Sequence, residues 1–213
     1  MQDNLSQFEP APQVAAEVFG DRLPLAQAYH DSLATTAAER GFIGPKEVSR
    51  LWSRHILNCA VIAEAFAEGE SVADIGSGAG LPGIPLAIAR PDLSVTLIEP
   101  LLKRSTYLSE VTEELGLDNV TVIRGRAEEQ KNMLFDAVTS RAVAPLGKLA
   151  GWSLPLVRPG GAMVAMKGSS ISEELERNAK IIAKAGGADA EIFTAGEDVL
   201  EQPTTLIRIS RAS

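Results

Sequence analysis

Residues 72–83 read Val72-Ala73-Asp74-Ile75-Gly76-Ser77-Gly78-Ala79-Gly80-Leu81-Pro82-Gly83. This stretch predicts a short apolar strand, an acidic residue, a glycine-rich turn and then a helix. Glycine allows a sharp turn and a close approach to a ligand, and Pro82 suits the first position of a helix. Backbone N–H groups at such a helix start point at whatever lies over the turn. The stretch therefore predicts a site for a cofactor that contains adenosine.

Two classes of cofactor fit this turn. Gly78–Gly83 matches the dinucleotide pattern G-x-G-x-x-G, and Glu99 follows at the spacing of an acid that binds a ribose. Asp74 favours S-adenosylmethionine (SAM) instead, because its carboxylate would repel a pyrophosphate and attract the ammonium group of a methionine moiety. A turn that only connects strand to helix is the weaker interpretation, since the strand, the glycines and both acids occur in order.

Composition restricts the class of protein. The chain has 213 residues, of which 45% are hydrophobic and 23% charged, as in a soluble globular domain with at most a small added subdomain. Its apolar stretches are too short to cross a bilayer, and Met1–Pro12 lacks the features of a secretory signal. The single cysteine, Cys59, fits a buried thiol in a reducing compartment. We expect a cytoplasmic protein with no membrane partner.

The charge and the ligand inventory exclude further classes. A net charge of −8 argues against indiscriminate binding to nucleic acid, although a local basic patch remains compatible with it. Two histidines and one cysteine form no pattern typical of metal ligands, so no metal is predicted.

The hydrophobic pattern changes near residue 70. Residues 13–66 show helical spacing with a break at Gly41–Pro45, which predicts an N-terminal helical cap over residues 1–69. Strands and helices then alternate over residues 70–213, which we expect to form one compact unit with the cap. The predicted strands are Ser71–Ile75, Ser94–Ile98, Val120–Ile123, Ala137–Ser140, Ala162–Met166, Ala190–Phe193 and Thr204–Ile209.

This alternation predicts an α/β fold: a Rossmann-like, mostly parallel sheet of seven strands, with the last strand antiparallel. That architecture is usual for SAM-dependent methyltransferases and less usual for dehydrogenases. Ligands of such sheets bind beyond the carboxyl ends of the strands.

Several candidate residues follow strand ends. Glu99 could accept both ribose hydroxyls, or cap the next helix. The backbone of Ala127 and Glu128 could border an adenine, and acids there also suit a helix start. Arg141 could bind a cofactor carboxylate or a substrate phosphate and act in positioning, or form an ion pair with Asp136 or Asp74.

Basic residues near the same end of the sheet could form a modest patch for an anionic substrate. Isolated basic pairs are more often solvated helix faces, and a lone histidine is more often a satisfied core residue. The candidates are Arg50, Arg54, His55, Lys103, Arg104 and Lys167.

Two motifs of nucleic-acid methyltransferases do not occur. The fourth strand is not followed by Asn/Asp-Pro-Pro-aromatic, which leaves methylation of an exocyclic amino group without support. The crevice segments contain no cysteine, which argues against covalent attack on C5 of a pyrimidine.

The motifs together resemble those of the bacterial small-subunit ribosomal RNA methyltransferase G family, also called glucose-inhibited division protein B. The glycine turn with its Gly83-Ile84-Pro85-Leu86 extension is the most specific of them. The matching segments are Arg54–Leu57, Asp74–Leu86, Lys103-Arg104, Ser140–Ala142 and Lys167-Gly168, in the family's order.

The resemblance implies transfer of a methyl group from SAM to N7 of a guanine in 16S rRNA, near the decoding centre. It implies cofactor contacts at Gly76, Leu81, Ala127, Glu128 and Arg141, to which the residue patterns add Asp74, Gly78, Gly80 and Glu99. Guanine N7 already has a lone pair, so no general base is expected.

We expect a monomer that acts on 16S rRNA within the small ribosomal subunit or an assembly intermediate. A small-molecule methyltransferase, an NAD(P)-dependent oxidoreductase and a non-catalytic SAM-binding assembly factor are the alternatives. Binding measurements with SAM and NAD(H) separate the cofactor classes.

Overall fold

The computed structural model describes residues 8–213. Residues 1–7, which belong to the predicted cap and to the stretch searched for a secretory signal, lie outside the described residues. The helical pattern predicted for residues 13–66 is confirmed, with the break near residues 41–45. The cap contains α1 (Gln13–Phe19), α2 (Leu23–Ser32), a π-helical turn (Leu33–Ala37), a 3-10 turn (Val48–Arg50), a second π-helical turn (Trp52–Ile56), α3 (Leu57–Ala60) and a last 3-10 turn (Val61–Ala65).

Alternating strands and helices follow, as predicted. The strands are β1 (Ser71–Ile75), β2 (Ser94–Glu99), β3 (Val120–Arg124), β4 (Phe135–Arg141), β5 (Val157–Met166), β6 (Gly187–Ala195) and β7 (Thr204–Arg211). The helices are α4 (Gly83–Ala89), α5 (Leu102–Glu114), α6 (Leu146–Ser153) and α7 (Ile171–Lys184), with short 3-10 turns at Ala127–Glu129 and Leu154–Leu156.

The strands form one seven-stranded sheet in the order β3-β2-β1-β4-β5-β7-β6. Pairs among β1 to β5 are parallel, and β7 runs antiparallel to both β5 and β6. The predicted fold class is therefore confirmed. The chain order reverses between β1 and β4, and such a switch point opens a crevice at the carboxyl ends of the strands.

The strands after β1 extend one to five residues beyond their predicted bounds, and two boundary differences have a visible structural basis. Strand β5 begins at Val157 and runs through Gly161, where a Cβ would clash with the Asp136 carbonyl oxygen, so glycine permits the close approach of β4 and β5. Helix α4 begins at Gly83, one residue after Pro82, which the sequence suggested as its first position. The Gly83 N–H donates to the Asp74 side chain.

Helical layers cover both faces of the sheet. The cap packs on one face together with α4 and α5, and buries Tyr29, Trp52 and Ile62 against Leu97 and other sheet residues. Helices α6 and α7 cover the opposite face. In residues 8–213 we find no helix with the length and apolar character needed to cross a membrane.

Candidate functional site

A crevice of about 440 Å³ lies at the carboxyl ends of β1, β2, β3 and β4. This volume lies in the range of small-molecule sites. Each strand contributes the segment that follows it. The lining includes Gly76, Glu99, Ala127, Glu128, Arg141 and Trp152, so the sheet brings together residues from four segments far apart in sequence.

The glycine turn follows β1, and its first residue, Gly76, lines the crevice. Gly76 has a φ of +66° and Gly78 a φ of +60°, a region that favours glycine. The Gly76 N–H donates to the Ile98 carbonyl (2.8 Å), and the buried Tyr29 hydroxyl donates to the Ala79 carbonyl (2.8 Å). The turn is therefore anchored to β2 on one side and to the cap on the other.

Gly80 and Leu81 face away from the open crevice. A Cβ on Gly80 would lie 2.4 Å from Ile84 Cδ1, and Leu81 packs into the core. These two predicted cofactor residues shape the turn, whereas Gly76 lines the crevice itself.

Asp74 lies beneath the turn, outside the lining of the crevice. Its side chain is fully buried, and its Oδ2 accepts the N–H of Gly83 at 2.9 Å. Burial raises its pKa to about 7, although the bond from Gly83 opposes this. The carboxyl group therefore holds the start of α4 and is not part of the crevice lining, and its contact with a methionine moiety stays a prediction.

Glu99 lies at the end of β2 and lines the crevice. Its Oε2 accepts the Gly78 N–H (2.9 Å) and its Oε1 accepts the Leu101 N–H (3.1 Å). A carboxylate offers about four acceptor positions, so two remain for a ligand. The two predicted functions, a helix-start acceptor and a ribose acceptor, are thus compatible in one side chain.

Ala127 and Glu128 begin a 3-10 turn after β3. Both line the crevice; Ala127 is buried and Glu128 is exposed at its edge. Their backbone can meet a ligand while the Glu128 carboxylate stays in solvent, where Arg126 lies 3.9 Å away.

Arg141 ends β4 and borders both the crevice and a neighbouring hollow that includes Asn58, Lys167 and Gly168. Its Nη1 donates to Nδ1 of His55 at 2.9 Å. The predicted alternative of an ion pair does not occur within residues 8–213: Asp136 pairs with Arg158, and Asp74 accepts from Gly83. The next residue, Ala142, has a φ of +51°, a strained conformation for alanine that is typical of functional loops.

Lys167 has a different environment from the open cation that the sequence predicted. Its Nζ donates to the Ala144 carbonyl (3.1 Å) and to Glu174 Oε2 (3.0 Å), and its side chain is only 11% exposed. Glu174 also accepts the Leu146 N–H, and this bond and Lys167 hold the pKa of Glu174 below its ordinary value. Lys167 thus fixes the loop between β4 and α6.

The remaining basic candidates divide into two groups. Arg50 pairs with Glu47 (2.6 Å), and His55 Nε2 contacts the second Glu47 oxygen at 2.5 Å. Arg54 and Lys103 are exposed and form no ion pair with any residue of the described chain. Arg104 lines the crevice, with its guanidinium 6.0 Å from the Phe42 ring centre.

Sequence reasoning missed Trp152 and Glu47. Trp152 on α6 lines the crevice, and Lys148 Nζ lies 4.9 Å from its ring centre. Neither residue belongs to a motif, and only the fold brings them to the site. Cys59 is fully buried, and burial raises its pKa to about 12, as suits a structural thiol.

Solved structures with low sequence identity share this fold. The AdoMet complex of M. jannaschii TYW2 aligns with a TM-score of 0.58 at 22% identity, covering 76% of this chain and 78% of that chain. The S-adenosylmethionine-dependent methyltransferase SibL in its apo form aligns with a TM-score of 0.59 at 18% identity, covering 92% and 74%. The fold is therefore that of SAM-dependent methyltransferases.

Sequence comparison is more specific. A protein from Corynebacterium glutamicum (strain R), named ribosomal RNA small subunit methyltransferase G, is 71% identical over 208 residues, which are 96% of this chain and 93% of the relative. The Rhodococcus jostii protein of the same name is 56% identical over 201 residues, or 92% and 88%. The family model described as rRNA small subunit methyltransferase G matches residues 22–202. The chain belongs to this family.

Proposed function

We propose that this protein transfers a methyl group from SAM to N7 of a guanine in 16S rRNA. The observation that carries the proposal is the crevice itself. A glycine turn, an acid, a backbone turn and an arginine, each after a different strand, line one cavity at the switch point of the sheet. Family membership supports the choice of ribosomal RNA as the substrate class.

The residues present fit SAM. Glu99 keeps free acceptor positions on an otherwise anchored carboxylate, which suits two ribose hydroxyls. The backbone of Ala127 and Glu128 suits an adenine edge, and the apolar face of Trp152 lies on the same cavity. Arg141 suits the carboxylate of the methionine moiety, because a guanidinium binds a carboxylate through charge-assisted hydrogen bonds. SAM supplies an activated methyl group when it is bound.

The residues of this chain then align the reactants and exclude water. Guanine N7 attacks with its own lone pair, so no side chain has to remove a proton. This agrees with the two acids that line the crevice: Glu99 accepts two backbone N–H groups, and the Glu128 carboxylate is exposed at the edge. Arg141 lies between the crevice and the hollow beside Asn58, and we place the guanine on the hollow side. Access to N7 requires the base to leave its stack.

We assign the phosphate contacts to three of the six predicted basic residues, which are exposed or half-buried and form no ion pair within residues 8–213: Arg54, Lys103 and Arg104. Such a small patch on a chain of net charge −8 suits a large, structured substrate that supplies other contacts. We therefore propose that a monomer acts in the cytoplasm on the small ribosomal subunit or on an assembly intermediate.

Titration calorimetry tests the choice of cofactor. The protein should bind SAM and its demethylated product, whereas NAD(H) should release no specific heat. Glu128→Gln serves as the control, because only the backbone of Glu128 is assigned to the ligand. NAD(H) binding without SAM binding would overturn the proposal.

A further inference from the structure

Three side chains connect the helical cap to the inner end of the crevice. Arg141 Nη1 lies 2.9 Å from His55 Nδ1, and His55 Nε2 lies 2.5 Å from Glu47 Oε2. Glu47 and His55 belong to the cap, 86 residues or more before Arg141. The His55 side chain is only 13% exposed, so its contacts are to protein more than to solvent.

Chemistry assigns the proton on His55. A guanidinium has only donors, so the Nδ1 atom of His55 must accept from Arg141. The proton of the neutral ring then lies on Nε2 and donates to the Glu47 carboxylate. Burial lowers the pKa of His55, and the charges of Arg141 and Arg54 act in the same direction, against the bond from Glu47. The neutral ring with Nε2–H is therefore the form that satisfies both neighbours.

Further contacts fix both ends of the hydrogen-bonded series Glu47–His55–Arg141. The other Glu47 oxygen accepts from Arg50 at 2.6 Å, so the carboxylate is held from two sides. At the other end, the loop after Arg141 begins with the strained Ala142 and is tied down by Lys167 through the Ala144 carbonyl. Strain of this kind persists where the surroundings over-determine a conformation.

We propose that Glu47 and His55 are positioning residues that hold the Arg141 guanidinium at the crevice. This rests on the proposed function in one respect, the assignment of Arg141 to the cofactor carboxylate. It changes the interpretation of His55, which the sequence offered as a contact to RNA. It also gives the cap a part in cofactor binding, although the cofactor crevice is built from the strand ends.

Nitrogen-15 NMR tests the proton assignment without any ligand. The chain has two histidines, so a His30→Gln variant assigns the signals of His55. We expect a neutral ring protonated at Nε2. The Glu47→Gln variant should keep the Nε2–H tautomer, because Arg141 still donates to Nδ1 and the amide oxygen can accept from Nε2. A wild-type ring protonated at Nδ1 would overturn the proposal.

A double-mutant cycle tests whether His55 affects SAM binding through Arg141. His55→Leu removes the acceptor and should weaken SAM binding about tenfold, whereas His55→Asn, which can place an amide oxygen near the Nδ1 position, should retain affinity within about threefold. In an Arg141→Ala background the His55→Leu change should have no further effect, since His55 acts through Arg141. Additive losses in the double variant, or full affinity in His55→Leu, would contradict the positioning role.

The two proposals fail in distinguishable ways. If Arg141→Ala binds SAM with wild-type affinity, the assignment of Arg141 to the cofactor is wrong. The NMR result then still decides whether Glu47, His55 and Arg141 form the hydrogen-bonded chain. If Arg141→Ala loses affinity but His55→Leu does not, Arg141 keeps its function and the positioning proposal is rejected.

Discussion

At the scale of single residues, two acids of the glycine-turn region have different environments. Asp74 is fully buried, one oxygen holds the Gly83 N–H, and the other accepts no hydrogen bond from the described residues. Glu99 has a hydrogen bond on each oxygen and also borders the crevice. From the sequence, both acids are predicted to contact the cofactor. Residue type and spacing do not show which carboxylate faces the cavity and which faces the helix start.

Asp74 should make stability depend on pH. Its pKa is about 3.8 in the unfolded chain and about 7 in the folded one. Between these values the unfolded chain releases the proton and the folded chain keeps it, so stability falls as pH rises to about 7 and is flat above. Asp74→Asn keeps an acceptor for Gly83 and lacks this dependence. As pH rises from about 3.8 to about 7, the free energy of unfolding of this variant should rise relative to wild type by roughly 4 kcal/mol, which is about 1.4 kcal/mol per pH unit.

Urea denaturation of both proteins across this pH interval measures the difference. Using the difference removes the contribution of all other titrating groups. A stability difference that does not change with pH would show that Asp74 is ionised in the folded protein.

Glu99→Gln should weaken SAM binding at least about tenfold, the equivalent of one lost charge-assisted hydrogen bond. The amide keeps one acceptor oxygen, so it cannot serve Gly78, Leu101 and two ribose hydroxyls together. Calorimetry measures the affinity, and circular dichroism checks that the fold persists. Equal losses in Glu99→Gln and the Glu128→Gln control would argue against a specific ribose acceptor.

At the scale of elements, the loop between β4 and α6 is the segment most closely tied to the site. It follows Arg141, contains the strained Ala142 and is fixed by Lys167 and Glu174. Lys167 directly follows β5 and Glu174 lies in α7, so a neighbouring βα unit holds the loop.

Lys167→Met should destabilise the protein by about 1–3 kcal/mol, because it removes the side-chain donor to the Ala144 carbonyl and one of the donors to Glu174. The salt dependence of RNA binding should not change, since the Lys167 ammonium is already neutralised. Denaturation and RNA binding at several salt concentrations measure both effects. Lys184→Met at the other end of α7 is the matched control. A reduced salt dependence together with unchanged stability would restore Lys167 as a phosphate contact.

Elements were more predictable than contacts. Alternating apolar patterns and glycine turns are local features of the sequence. The order of strands and helices along the chain, and the central residues of each strand, could therefore be predicted correctly. The start of β5 was missed because Pro159-Gly160-Gly161 is typical of a turn. The partners of Arg141 and Lys167 could not be predicted, because the fold brings together residues that are distant in sequence.

At the scale of the whole molecule, an acidic chain keeps three of its predicted basic substrate residues free of ion pairs within residues 8–213. The sequence predicted six basic substrate residues. Arg50, His55 and Lys167 have acidic partners in the structure. The other three, Arg54, Lys103 and Arg104, form no ion pair with any described residue, and Arg104 lines the crevice.

Alanine substitutions of Arg54, Lys103 and Arg104 should each weaken RNA binding and lower the salt slope by about one unit, because each removes a phosphate contact. SAM affinity should stay unchanged in Arg54→Ala and Lys103→Ala. Lys184→Ala, on the far end of α7, should leave the slope as in wild type. An unchanged slope in all three patch variants would show that the RNA docks on another face.

An assay of methyl transfer measures the proposed activity itself. The purified protein is incubated with SAM carrying an isotopically labelled methyl group and with small ribosomal subunits from cells that lack it, and the label is mapped by mass spectrometry. We predict label at N7 of one guanine in 16S rRNA, and its loss in Glu99→Gln at low SAM concentration. Tight SAM binding with no label in the RNA, or label on a different atom or molecule, would contradict the account.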